Sequence, residues 1–180
     1  MENSEELLPV VNKSGEVTGS ASRGECHDGV SFLLHPVVHL HIVNREGKIL
    51  SQKRSMNKKI QPGKWDTAVG GHVDFGETVS EALRREAEEE TGFANTENAL
   101  PVKAYCFRSE VEAELINPHV VFVGDDFTPR TKESDQIDEF RFFSEAELSE
   151  MASAGLLTPN FASELSDVIF PFLKSIGHGD

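Results

Sequence analysis

The 180-residue chain has two cysteines, one tryptophan, one tyrosine and only 17 basic residues against 31 acidic ones. Cys26 and Cys106 stand alone, with no C-x-x-C pair. This spacing excludes a disulfide framework and leaves two reduced thiols in a chain expected to be cytoplasmic. The net charge of −14 excludes generic binding to nucleic acid or to an acidic membrane surface. An anionic ligand would therefore need a local basic patch or a bound cation. No apolar run approaches membrane-spanning length, and the acidic start Met1–Glu6 does not read as a targeting signal. Repeats, low-complexity segments and linkers are also missing. The 38% hydrophobic and 27% charged content is ordinary for a soluble globular domain with room for a sizeable core.

Against this background one stretch stands out, GHVDFGETVSEALRREAEEETGF at Gly71–Phe93. Thr78 and Glu81 have capping-box spacing, so a helix starts at Thr78, and Gly92 sits where a left-handed residue would end it. At about 100° per residue, Val79, Ala82, Leu83 and Ala87 form one stripe that must face the protein body. Glu86 and Glu90 fall inside that stripe and Glu89 on its flank. Like charges at this spacing, at the helix end whose dipole disfavours anions, are costs without an offset unless a cation is bound. Hard divalent ions take oxygen ligands, and Mg²⁺ commonly takes a few carboxylates beside substrate phosphates.

The rest of the chain reads as mixed α/β. Residues 7–18 form a hairpin around the turn Asn12–Gly15, and a helical turn falls near Arg23–His27. Val37–Val43 is a strand with His39 and His41 on one face, expected to be the less buried one. Asn44–Gly47 turns into a second strand, Lys48–Arg54. Lys53, Arg54, Lys58, Lys59 and Lys64 then crowd twelve positions, a plausible phosphate clamp in so acidic a chain. Trp65–Val69 re-enters as a strand, and Gly70-Gly71 lets backbone approach a ligand closely. After the helix come strands at Val102–Arg108, Glu114–Val123 and Glu139–Phe143. A helix from Ser144 to about Ala154 follows, and a last one, Phe161–Ile176, is broken or kinked near Pro171.

Gly71–Phe93 satisfies G-x5-E-x7-R-E-U-x-E-E-x-G-U in full, a match expected by chance on the order of once in 10⁹ placements. It resembles the signature of the Nudix hydrolase superfamily. The resemblance implies an αβα sandwich with a mixed central sheet. The boundaries would be an N-terminal hairpin extension at 1–34, a core at 35–155 and a C-terminal helix at 156–180, all in one domain. Within the superfamily the chain looks most like the isopentenyl-diphosphate isomerase-like branch. By that likeness Arg54 and Lys58 fall where a diphosphate is held, and His27, His35 and His72 fall near metal-binding histidines. Three departures count against isomerisation, one being the full R-E-x-x-E-E helix, which isomerases do not keep. Gly70 stands where isomerases need a catalytic cysteine, and their later acidic pair is expected to be replaced around Asn117–His119.

The implied chemistry is hydrolysis of a diphosphate linkage in a nucleoside diphosphate-X or related compound, with Mg²⁺, or Mn²⁺ as a substitute. Glu86 and Glu90 would be direct metal ligands with the Gly71 carbonyl, and Glu89 would serve a second or water-bridged ion. Arg85 and Glu77 would pair and fix the loop against the helix, which Gly92 ends. The general base is Glu89 or one of Glu133, Asp135, Asp138 and Glu139. The alternatives are an isomerase and a non-catalytic Nudix ligand-binding module. The implied partner is a small-molecule diphosphate, with neither nucleic acid nor membrane, and a homodimer is left open. Nothing reads out the X group, and Trp65, Phe75, Phe127, Phe142 and Phe143 fit a core as well as a base stack.

Overall fold

The computed structural model describes residues 5–58, 60–132 and 135–178. Among them a mixed eight-stranded sheet separates two helical layers. Its strands are β3 (Leu34–Val43), β4 (Ile49–Arg54), β5 (Trp65–Thr67), β6 (Val69–His72), β7 (Leu100–Pro101), β8 (Tyr105–Arg108), β9 (Ala113–Phe122) and β10 (Ile137–Phe143). β3 runs parallel to β9 over ten residues, and β10 pairs antiparallel with β4. β3 and β4 meet only at Val43 and Ile49. Beyond that point β5 pairs with β4 and β6 with β3, so these two short strands fill a fork in the sheet.

Side chains alternate across the sheet. Val38, Leu40, Ile42, Leu50 and Val121 point to the layer formed by α2 (Val79–Thr91), and pack with its Ala82, Leu83 and Ala87. This helix has the predicted ends. Thr78 accepts from the Glu81 N–H while the Glu81 carboxylate accepts from the Thr78 N–H, and Gly92 is left-handed at φ 71°. Val43, Ile49, Trp65, Val120 and Phe143 point the other way, to α3 (Glu145–Ser153), α4 (Pro159–Glu164) and α5 (Phe170–Ser175). Between α4 and α5 a π-helical turn, Leu165–Ile169, keeps the rod continuous up to Pro171. The distortion expected at the proline is thus taken up one turn earlier, where the i→i−4 ladder would otherwise need the missing N–H.

The predicted N-terminal hairpin is β1 (Leu7–Val11) with β2 (Val17–Ser22), followed by the single turn α1 (Arg23–Cys26). Leu8, Ala21 and Cys26 make a small core of their own beneath it. The hairpin is tied to the loop before α2, where the Phe75 N–H donates to the Leu7 carbonyl.

One expectation from the strand pattern fails. The face of β3 that carries His39 and His41 is covered: His41 is fully buried, and His39 is partly so. The cover is α4, whose Phe161 ring stacks on His41 at 6.1 Å. A polar residue on a strand reads as outward facing, but here a partner supplied 125 residues later makes burial tolerable. The aromatics divide in a similar way. Trp65 and Phe143 meet edge to face in the C-terminal core, Phe93 and Phe127 do so beside α2, and Phe75 is exposed.

Candidate functional site

The carboxylates of α2 converge on the two glycines of β6. Gly71 faces α2, and a Cβ placed on it would lie only 2.0 Å from the Glu86 carboxylate carbon. Glycine is required here by close approach, since its φ is ordinary. Glu90, one turn later, is buried and accepts the Gly70 N–H at 2.9 Å, with the Gln52 amide 3.5 Å away. Glu89 lies on the rim with its side chain 42% exposed. Two acids one helical turn apart thus meet backbone at one point with Glu89 on the rim beside them, an oxygen-rich setting of the kind a hard divalent cation takes.

Arg85 organises the entrance. Its Nε and Nη2 donate to the two oxygens of Glu77, its Nη2 also to the His72 carbonyl, and its Nη1 to Glu86. The fork geometry of guanidinium suits this bidentate role. Burial would raise the Glu77 carboxyl, but the Arg85 bond outweighs it and holds Glu77 below the usual range. Asp74 closes the loop with a longer contact to Arg85 at 3.8 Å.

The clamp residues lie at the far end of β4. Arg54 is half-engaged already, donating to Asp66 at 3.0 Å and to the Ile60 carbonyl at 3.0 Å, while its Nε is buried without a hydrogen-bond partner among the described residues. Lys58 is partly buried in the turn that follows. Lys59 lies outside the described residues, as does Glu133. The other base candidates sit by this end too, because Ile137 pairs with Arg54. Asp138 is exposed, Glu139 is paired with Arg141 at 2.6 Å, and Asp135 contacts Gln136.

The opposite face of the sheet carries a second constellation. His27, His35, His72 and Glu114 each bring one ligand-type atom within 4.8 Å of the others, and the three rings lie 5.0–5.4 Å apart. Backbone carbonyls of Arg23 and Leu33 contact Nδ1 of His27 and His35. That fixes the rings and leaves Nε2 pointing inward, the arrangement of metal-bound imidazoles. Nε2 of His35 and of His72 are buried with no partner among the described residues. Burial holds both rings below the usual histidine range, so they are neutral and able to ligate. His27 is raised, because its bond to Glu112 outweighs burial. Burial, together with neighbouring Glu112, pushes the Glu114 carboxyl up to about 7.

These contacts correct one sequence reading. The acidic pair beside the histidines is Glu112 and Glu114, at the start of β9, where Glu114 lies in register with His35. It is not replaced at Asn117–His119. Asn117 instead bonds the Val37 and Leu115 carbonyls, and His119 pairs on β7. The expected strand begins at Glu114, which leaves Glu112 in the preceding turn, whereas β9 begins at Ala113. The parallel register with β3, which no local pattern encodes, is what brings the pair home.

An αβα sandwich in which a glycine loop and a carboxylate helix meet at a forked strand defines the class, and the comparisons agree. Residues 33–161 match the NUDIX domain family, and the chain belongs to that family. It is 30% identical over 154 residues to a Nudix hydrolase of Listeria monocytogenes, covering 84% of this chain and 88% of the relative. It is 28% identical over 151 residues to an isopentenyl-diphosphate Δ-isomerase of Brevibacterium linens, covering 83% and 82%. Among solved structures, a protein of Deinococcus radiodurans aligns with a TM-score of 0.72 and 26% identity over 89% of this chain and 98% of its own. A MutT Nudix hydrolase of Burkholderia pseudomallei aligns at 0.61 with 27% identity, over 74% and 96%. The protein is a Nudix hydrolase, an enzyme acting on phosphorus-containing anhydrides. No helix among the described residues is long and apolar enough to cross a membrane.

Proposed function

We propose that the chain is a Mg²⁺-dependent diphosphohydrolase, cleaving a nucleoside diphosphate-X or related organic diphosphate at the carboxylate face. The observation that carries this reading is the convergence of Glu86 and Glu90 on the Gly70-Gly71 backbone. A divalent ion held there by Glu86, Glu90 and the Gly71 carbonyl would supply charge neutralisation for the phosphoryl group and acidify a bound water. Glu89, on the rim, is placed to serve a second ion or to take a proton from the attacking water. Arg85, bonded to Glu77, Glu86 and the His72 carbonyl, holds the loop against the helix. Arg54 and Lys58 would receive the distal phosphate, with Arg54 exchanging its Ile60 contact for phosphate oxygens. The enzyme would act in the cytoplasm on a free small molecule. A phosphate-release screen over nucleoside diphosphate derivatives with Mg²⁺ and Mn²⁺ tests the reading. Absence of metal-dependent release across the panel would count against it.

A second reading is favoured by one specific observation, the intact His27–His35–His72–Glu114 cluster with Glu112 behind it. Together with the likeness to the B. linens isomerase, it supports a transition metal at these four residues, since imidazole and carboxylate suit such ions. Isomerase activity itself is disfavoured by Gly70, which offers no thiol. Metal analysis tests it: a bound transition ion that is lost on His72→Asn would support this reading, whereas appearance of the allylic isomer from isopentenyl diphosphate would show isomerisation in spite of Gly70.

A further inference from the structure

Deeper under the C-terminal layer lies a third cluster that shares no residue with either of these, its His39 within electrostatic reach of Glu114. We propose that His39, His41 and Glu164 form a separate binding site for a divalent transition metal of the zinc type, pinning the C-terminal helical rod to the sheet. The inference is independent of which reaction the carboxylate face performs.

The geometry is built from three elements. β3 sets His39 and His41 two residues apart, so both rings project from one face. Residues 156–158 are stitched to β5: the Trp65 N–H donates to the Leu156 carbonyl, the Thr158 N–H to the Trp65 carbonyl, and the Thr158 hydroxyl to Asp66. Thr158 caps α4, and the helix then delivers Glu164 over the two histidines. Glu164 Oε2 lies 2.7 Å from Nδ1 of His39 and 3.4 Å from Nε2 of His41. The three donor atoms fall within 4.8 Å of one another.

A hydrogen-bonded ion pair alone accounts poorly for this set. The Glu164 and His41 side chains are fully inaccessible, and both imidazoles converge on one oxygen. The His39 contact is a good hydrogen bond, whereas 3.4 Å to His41 is longer than one. The second oxygen, Oε1, is buried and makes no hydrogen bond of good geometry among the described residues, with the Tyr105 hydroxyl the nearby donor to this carboxylate. Buried ions are retained at a large desolvation cost unless every lone pair is matched. A divalent cation would use all three donors and neutralise the carboxylate. Two imidazoles and one carboxylate are a familiar set for zinc, and the Thr67 hydroxyl lies beside the His41 ring, 3.4 Å from Nδ1 and 3.5 Å from Nε2. The site also has an approach, since the His39 side chain is 12% exposed and flanks Gly70, whose absent Cβ would crowd its ring at 3.3 Å. The π-helical turn begins at the residue after Glu164, a distortion that recurs where a helix is bent to place a functional side chain.

The test counts zinc. The chain carrying His35→Asn and His72→Asn, which disables the other histidine cluster, is stripped with chelator and reloaded with ZnCl₂ in excess Mg²⁺ to occupy all-oxygen sites. After gel filtration it should retain one zinc per chain, and adding Glu164→Gln should reduce this to none. Folded double variant that retains no zinc overturns the proposal, as does zinc that persists after Glu164→Gln. Should the double variant not fold, cobalt titration of the otherwise native chain decides: loss of one of two Co²⁺ equivalents on Glu164→Gln supports the site, and unchanged uptake overturns it.

Discussion

The two faces of the sheet handle charge in opposite ways. On the α2 face, acids crowd together on a helix, at the rim or against bare backbone, and their organiser is a single arginine. On the other face, five histidines and three acids are spread over the end of α1, three strands, the turn before β9 and a C-terminal helix. The first arrangement is local and suits a labile hard ion that arrives with its substrate. The second is distributed, buried and nitrogen-rich, which suits a resident softer ion. Gly70 and Gly71 are the partition between them, each facing one side.

That contrast can be broken at several points. The largest effect is expected at the carboxylate face. Glu90→Gln should lower Mg²⁺-dependent turnover by at least about 100-fold, the upper end of what even outer metal partners cost. Circular dichroism should show the fold unchanged, and near-normal turnover would remove Glu90 from the metal site. Gly71→Ala comes next. Its Cβ overlaps the Glu86 carboxylate, so it should displace that side chain, cut activity and cost about 1–3 kcal/mol by denaturant unfolding, as overpacking does. Full activity would show that Glu86 can leave Gly71 without consequence. Arg54→Ala should raise KM several-fold, an effect larger than the Tm loss from its largely buried bridge to Asp66. A stability loss with unaltered KM would make Arg54 structural.

The histidine face should answer to pH instead. Burial opposes charge on His39, but the ionised Glu164 outweighs it and raises the ring from 6.5 to about 9. In chelator the folded chain therefore holds a proton that the unfolded chain releases above 6.5. The stabilisation is complete below that value and is lost as pH rises through about 9. Tm measured from pH 6 to 10 should fall in this window, and His39→Gln should flatten the decline. The smallest contrast concerns the thiols. Burial raises Cys26 to about 11, whereas Cys106 is exposed. A thiol reagent at neutral pH should therefore titrate one cysteine in the folded chain and two in denaturant.

How far the sequence reveals these two faces follows from how local each one is. Thr78, Glu81 and Gly92 announce the helix by short-range hydrogen bonding, and the stripe containing Glu86 and Glu90 follows from one period. The strands around it are equally readable, since alternation and turn residues are local, whereas the mixed sheet follows only from the family likeness. The histidine face was not. His27, His35 and His72 came only through family likeness, and Glu112 and Glu114 were missed because a parallel strand pairing carries no local signature. Glu164 lies in a helix that reads as ordinarily amphipathic, and nothing near it indicates that its carboxylate will meet His39. The proline kink was anticipated, but its resolution as a π turn depends on packing against the sheet.

The short strand β6 has a consequence for how this chain can vary. Its four residues send Gly71 to one side and His72 to the other, and they are locked to Val38 and Val37 of β3. Deleting or inserting a single residue there would exchange the two sides. An imidazole would then be driven into the carboxylates, and a glycine would be left among the histidines. Length in this segment is therefore held more tightly than composition, and a frameshift of one position would silence both faces together.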